Sequence, residues 1–138
     1  MITQTDKALK KSLNSPDETR PVGNGLIELV NLEGVKIARV TLKPGWSWSQ
    51  DVKPAAKTES CRQEHVQYVL SGQLAVVMDD GTELELKAGD VAVIPPGHDA
   101  RVVGDEPFTA IDFAGLEEYA KSRQEEAYGE DLDTLIEW

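Results

Sequence analysis

The chain has 138 residues, of which 40% are hydrophobic and 28% are charged. This length suits one domain with its own core, and the composition is that of a globular protein rather than a disordered chain. The formal net charge is −11. Such a charge repels nucleic acid and anionic membrane surfaces, so we expect neither as a partner.

The cysteine content and the N-terminal sequence bear on the location of the protein. A single cysteine excludes an internal disulfide, which suits a reducing compartment. Residues 1–10 (MITQTDKALK) lack the apolar core of a secretory signal, and no apolar run is long enough to span a bilayer. We therefore expect a cytoplasmic protein.

The first part of the chain predicts an N-terminal extension (residues 1–24). It ends in a loop, because NSPDETRP combines turn-forming residues with two prolines. Short runs rich in β-branched and aromatic residues then predict strands at 25–30, 35–42 and 46–52. Residues 53–60 have no apolar pattern and predict a further loop.

A hairpin is the clearest local signal. In residues 73–86, two alternating runs flank Asp80 and Gly81, a pair that supplies the positive φ angles of a tight turn. Similar short runs predict strands at 65–70, 91–95, 99–103 and 108–114. About nine short strands separated by Gly or Pro indicate an all-β sandwich or barrel in residues 25–114.

The periodicity changes after Gly115. Apolar residues recur at helical spacing in LEEYAKSRQEEA, which predicts an amphipathic helix, and DLDTLIEW forms a second short apolar segment. Residues 116–138 contain eight acidic and two basic residues. We therefore predict a C-terminal helical acidic tail (residues 115–138) whose charged face is solvated.

The residues best suited to chemistry lie in two short segments. Cys61 is the chain's only cysteine, and His65 and His98 are its only histidines. Thiolate and imidazole are both good ligands for zinc, iron, copper or nickel. Taken one at a time, each residue also fits a purely structural role, such as a small buried core side chain.

The same segments resemble the cupin family, whose members are small double-stranded β-helix or jelly-roll barrels. Gly89, Pro95 and Gly97 in GDVAVIPPG match the second motif of the family, and Gly72 in YVLSGQLAV matches the end of the first. The resemblance covers about residues 40–113. It implies a jelly-roll barrel, and it favours a homodimer because small cupins commonly pair and exposed sheet edges benefit from being covered.

The resemblance also implies a ligand set with substitutions at every position. His65 stands where the family has a metal-binding Glu, Cys61 stands for the second His of the first motif, and Glu59 stands for the first. Ala100 occupies the usual His position of the second motif, and His98 lies two residues earlier on the same expected strand face. We therefore predict a divalent transition metal, namely zinc, iron, nickel or manganese, on Cys61, His65, His98 and Glu59.

Other residues are candidates for a ligand pocket. Trp46 and Trp48 share one face of the predicted strand and either stack on a ligand or pack in the core or at a dimer interface. Gln67 shares the strand face of His65 and is expected to contact a ligand. The sequence leaves open which way Arg101 and Asp112 face, and no nucleophilic triad is expected.

Three hypotheses for function follow. The first is a metal-dependent enzyme that acts on a small molecule, with an open metal position for substrate or water. The second is a metal-free module that binds a small apolar or acidic molecule without catalysis. The third is an interaction role exercised through the acidic tail.

Overall fold

Antiparallel strands dominate the structure, a computed structural model that describes residues 6–114. In chain order the strands are β1 (Glu18–Pro21), β2 (Gly25–Leu32), β3 (Val35–Leu42), β4 (His65–Ser71), β5 (Gln73–Met78), β6 (Glu83–Lys87), β7 (Val91–Ile94), β8 (His98–Val103) and β9 (Phe108–Asp112). Two short helices, α1 (Trp48–Asp51) and α2 (Lys53–Ala56), lie between β3 and β4. The mostly β fold is confirmed, whereas the C-terminal helix predicted in 115–138 lies outside the described residues.

The strands form two sheets that share one hydrophobic core. The larger sheet has the order β1-β2-β3-β9-β4-β7, and the smaller has the order β6-β5-β8. The two sheets give a jelly-roll sandwich, and among the described residues no continuous hydrogen-bonded ladder closes them into the predicted barrel. The reason is that the chain between β3 and β4 runs as helices and loop, joined to β8 by two isolated pairings, of Ser47 with Arg101 and of Cys61 with His98.

The core follows the period-two alternation of the strands. On β3, Val40 and Leu42 face inward and are 5% and 4% exposed, while Phe108 and Ala110 on β9 are fully buried. Val76 on β5 meets them from the smaller sheet as part of the same buried cluster. Burial of a Phe or Leu side chain stabilises the fold by about 1.5–3 kcal/mol, so these contacts hold the sheets together.

The predicted strand at 46–52 is wrong, because helix capping outweighs the strand preference of the two tryptophans. Ser47 has an extended backbone and its hydroxyl accepts a hydrogen bond from Gln50 N, which begins α1. The Asp51 carboxylate accepts hydrogen bonds from Ser47 N at 2.9 Å and Asn24 N at 3.1 Å. The predicted strand face shared by Trp46 and Trp48 therefore does not exist.

The N-terminal loop prediction is also wrong in part. β1 lies inside NSPDETRP and pairs with β2, with Arg20 opposite Ile27 and Pro21 opposite Leu26. An edge strand tolerates proline because its outer N–H groups need no sheet partner. Residues before β1 cover the outer face of β3, where the Arg39 guanidinium donates a hydrogen bond to Leu13 O at 3.2 Å.

The remaining predictions concern the hairpin, membrane spans, domain boundaries, oligomeric state and location. The hairpin around Asp80-Gly81 is confirmed, since β5 pairs with β6. Its turn is looser than expected, because Gly81 has φ +92° but Asp80 has no positive φ, and the last pair before the turn is Val77 with Glu83. No helix among the described residues is long and apolar enough to cross a membrane. The domain boundaries, the homodimer and the cytoplasmic location stay predictions from the sequence.

The two hydrogen bonds that the Asp51 carboxylate accepts, from Ser47 N and Asn24 N, form a clamp that should contribute to stability. Asp51→Ala should lower the free energy of unfolding by about 1–2 kcal/mol, because two backbone N–H groups lose a carboxylate acceptor and α1 loses its anchor to Asn24. Urea denaturation measures the change, with Ser49→Ala on the exposed side of α1 as the control. Equal stability of the two variants would contradict the clamp.

Candidate metal centre and adjoining cavity

Cys61, His65 and His98 come together at one end of the sandwich. His65 is the first residue of β4, His98 is the first residue of β8, and Cys61 pairs with His98 through the backbone. One ligand atom from each of the three residues lies within 4.8 Å of the other two. All three side chains are buried, with exposures of 2%, 6% and 3%.

Backbone geometry at Gly97 positions two of these residues. Gly97 has φ +95°, a conformation that side-chain-bearing residues rarely adopt. Its N–H donates a hydrogen bond to Cys61 O at 2.7 Å, and Cys61 N–H donates to His98 O at 2.7 Å. The glycine turn therefore holds the segment carrying Cys61 against the start of β8.

Hydrogen bonds on the outer side of each imidazole aim the inner nitrogen at the sulfur. His65 Nδ1 lies 2.9 Å from Asp112 Oδ2, and His98 Nδ1 lies 2.8 Å from Pro95 O. Because both acceptors take a proton from Nδ1, the Nε2 atoms remain for the centre of the cluster. His65 Nε2 lies 3.8 Å from Cys61 Sγ.

The cluster favours a thiolate beside a charged imidazole when no metal is bound. Burial opposes ionisation of Cys61, but hydrogen bonds from His65 and His98 outweigh it and lower the pKa of the thiol to about 6. Burial also disfavours a charged His65, but the nearby Asp112 carboxylate raises the pKa of His65 to about 10. Both shifts act in the same direction, because each favours a thiolate beside an imidazolium in the metal-free site.

This donor set fits a transition metal. A thiolate and two imidazole Nε2 atoms converge, and each imidazole has the outer acceptor that metal-binding histidines usually have. Metal binding would release the proton from His65 Nε2, which couples metal affinity to pH. The sulfur argues against magnesium and calcium, which prefer oxygen ligands.

Cys61, His65 and Asp112 form a Cys-His-Asp series, although no nucleophilic triad was expected from the sequence. Cys61, His65 and Asp112 stand in hydrogen-bonding order. The adjoining cavity, however, is lined by His65 and His98 and not by Cys61. A molecule in the cavity therefore meets the imidazoles before the sulfur, which favours a ligand role for Cys61 over a nucleophilic one.

The cavity lies between the two sheets, and about 30 Å³ of it is open to the centre of a water-sized molecule. The atom-free space around this volume, including the open mouth, is about 450 Å³. Its walls are aliphatic side chains from both sheets together with Trp46 and Trp48. Its polar lining residues are His65, His98 and Gln67. The three predicted pocket residues are thus at the cavity, even though the tryptophans reach it from α1 and the turn before it rather than from a strand.

Asp112 is a site residue whose orientation the sequence left open. It lies opposite Gln67 in the pairing of β9 with β4, and Gln67 Nε2 donates a hydrogen bond to its Oδ2 at 2.9 Å. Phe108, Ala110 and Asp112 alternate on one face of β9, so the two apolar residues were the available signal that Asp112 faces inward.

Glu59 does not join the cluster, which corrects its predicted place in the ligand set. Its side chain is 91% exposed and forms an ion pair with Lys53 at 3.4 Å. The position was assigned by the family's strand spacing, but residues 57–60 form a loop that turns the carboxylate outward. Arg101 is also exposed and does not line this cavity.

The ionisation of Cys61 can be measured directly, because it is the chain's only thiol. In metal-free protein, the ultraviolet absorbance of the thiolate should titrate with a midpoint near pH 6, since His65 and His98 stabilise the anion. His65→Gln should raise the midpoint, while Arg62→Gln, on an exposed neighbour, should leave it unchanged. A wild-type midpoint near the ~8.5 of a free thiol would contradict this electrostatic account.

Comparison with known proteins identifies the family. Residues 38–114 match the cupin domain. Solved structures with similar folds include a protein of unknown function from Rhizobium leguminosarum BV. viciae 3841, with 22% identity and a TM-score of 0.57 over 79% of this chain and 97% of that one. An RmlC-like cupin from Shewanella frigidimarina NCIMB 400 has 19% identity and a TM-score of 0.53 over 84% of this chain and 97% of that one.

An oxalate decarboxylase from Lactobacillus farciminis has 20% identity and a TM-score of 0.53, over 81% of this chain and 35% of the longer enzyme. At such identities these structures support the fold alone. The comparison with curated proteins gave no match. The match to the cupin domain spans more than half of the residues, in agreement with the two glycine motifs and the jelly-roll sheets, and the chain belongs to the cupin family.

Proposed function

We propose that the protein is a metal-dependent enzyme that acts on a small molecule. The metal would be held by Cys61 Sγ and by the Nε2 atoms of His65 and His98. The observation that carries the proposal is the convergence of these three buried donors, with both imidazoles oriented by hydrogen bonds on the other side of the ring. Three protein ligands leave a position open for water or substrate, as in catalytic zinc sites.

The metal would act as a Lewis acid that polarises a bound oxygen or lowers the pKa of a bound water. The chain's own residues prepare that position. Asp112 holds His65 in the orientation that directs Nε2 inward. Trp46 and Trp48, with the aliphatic walls, give the cavity a mainly apolar lining, which would strengthen electrostatic interactions inside it.

The ligand chemistry narrows the choice of metal. A thiolate beside two imidazoles favours zinc, iron(II) or nickel over manganese, because softer ligands suit the later transition metals. The likeness to an oxalate decarboxylase does not carry oxalate to this protein, since no Arg or Lys lines the cavity as described. A homodimer in the cytoplasm remains part of the proposal on the strength of the sequence alone.

The apolar lining of the cavity supports a second candidate, a metal-free binding module. Among residues 6–114, three polar side chains line the cavity, between aliphatic and tryptophan walls. In that case the thiolate and imidazolium would form a structural ion pair, and small molecules would raise the melting temperature with no metal present. Metal content separates the two candidates.

Elemental analysis of tag-free protein purified without chelator tests the proposal. We expect about one transition metal per chain in the wild type and a loss of most of it in Cys61→Ser and His98→Ala, because each variant removes one of three ligands. Arg101→Ala, on an exposed neighbour of the same strand, should keep the metal. Wild-type protein that retains little metal after incubation with zinc, iron(II) and nickel would reject the metal-dependent function.

Asp112 should tune metal affinity without binding the metal. Asp112→Asn should weaken zinc binding by about 10–100-fold, because a neutral amide replaces the carboxylate that orients His65 and raises its basicity. If the amide oxygen keeps the bonds from Val66 N and Ala114 N, its NH₂ group faces His65 and cannot accept from Nδ1. Competition with a zinc chelator measures the change, and Asp105→Asn on an exposed turn is the matched control. Equal zinc affinity in both variants would remove Asp112 from the metal centre.

A further inference from the structure

Gln67 has a buried acceptor without a partner at the wall of the cavity. The residue is 6% exposed and lines the cavity beside His65 and His98. Its Oε1 accepts no hydrogen bond from any described residue. Buried polar atoms without partners are rare in folded proteins and are unfavourable, so this oxygen calls for a donor.

The orientation of the Gln67 amide is fixed by its neighbour. Nε2 donates a hydrogen bond to Asp112 Oδ2 at 2.9 Å, and the same oxygen contacts His65 Nδ1 at 2.9 Å. Reversing the amide would place Oε1 against a carboxylate oxygen, where two acceptors repel each other. The unpaired atom is therefore the acceptor, and what it lacks is an O–H or N–H group.

The charges around the cavity favour a neutral occupant. No Lys or Arg lines the cavity as described. A divalent metal would bring two positive charges, and the Cys61 thiolate and the Asp112 carboxylate would balance them. An anionic ligand would then add an uncompensated charge to a mainly apolar cavity, which is costly.

We propose that the cavity binds a neutral, mainly apolar small molecule whose hydroxyl or N–H group donates a hydrogen bond to Gln67 Oε1. Alcohols, phenols and primary amides are the chemical classes that fit. The inference deepens the proposed function, on which its charge balance rests, and makes Gln67 a specificity-determining residue of the same site. The aliphatic and tryptophan walls would hold the apolar part of the molecule.

Two pairs of probes of nearly equal shape test the proposal on zinc-loaded wild-type protein. Phenol and toluene differ by a hydroxyl in place of a methyl group, and benzamide and benzoate differ by a neutral donor in place of an anionic acceptor. We expect phenol to bind about tenfold more tightly than toluene, and benzamide more tightly than benzoate, as measured by NMR titration. Toluene binding as well as phenol, benzoate binding better than benzamide, or no binding of any probe would each overturn the proposal.

The variant Gln67→Met keeps the length of the side chain and removes the acceptor. It should reduce the phenol preference to about that of toluene, while Leu74→Met, elsewhere on the cavity wall, should retain it. A phenol preference that survives in Gln67→Met would overturn the role of Gln67. The wild-type comparison decides the ligand class even where the variant fails to fold.

Running the same titrations on metal-free protein separates this inference from the proposed function. If the protein fails to retain metal, the metal-dependent function is rejected, but the phenol preference can still be measured. A phenol preference in the metal-free protein would support the contact with Gln67. A metal-loaded protein without the preference rejects the ligand class and leaves the metal centre standing.

Discussion

One buried carboxylate, Asp112, supports both the candidate metal centre and the cavity beside it. Asp112 is 1% exposed and lies at the end of β9. Its oxygens contact donors from His65, Gln67, Val66 N and Ala114 N, at distances of 2.9–3.4 Å. A buried carboxylate is tolerated only when such donors replace the water it has lost. The requirement therefore ties β9 to β4 and fixes two side chains on β4 at once.

These two side chains serve different parts of the site. His65 directs Nε2 towards Cys61, while Gln67, two residues along the same strand face, presents Oε1 at the cavity. Because one oxygen of Asp112 accepts from both residues, the two contacts are not independent. A donor that binds Gln67 Oε1 polarises the amide and strengthens its bond to Asp112, since linked hydrogen bonds reinforce one another. Occupation of the cavity by the proposed ligand would therefore also act on His65, the imidazole that would bind the metal.

Most strand positions along the chain could be predicted from the sequence, because turn residues and hydrophobic alternation are local signals. Gly72 illustrates this, since a side chain there would collide with the Pro107 carbonyl and φ is +81°. Where local capping competed with residue preference, as at Ser47 and Asp51, the prediction failed. Glu59 was misplaced because family spacing assumes a strand where this chain has a loop. Asp112 was undecided because its partners, 45–47 residues earlier in the chain, are brought near by sheet pairing alone.

The substitutions at the family's metal-ligand positions leave an apolar space inside the sandwich. In the family's second motif the metal-binding His falls at the position of Ala100. His98 lies two residues earlier on the same strand face, so the imidazole is about 6–7 Å nearer the start of β8. His65 begins β4 at the same end of the sandwich, and Cys61 is paired there with His98. Ala100, which still lines the cavity, contributes only a methyl group where an imidazole was expected. With the metal ligands at the strand ends, the deeper part of the sandwich would be left for the proposed apolar molecule, and Gln67 would be the polar group that orients it.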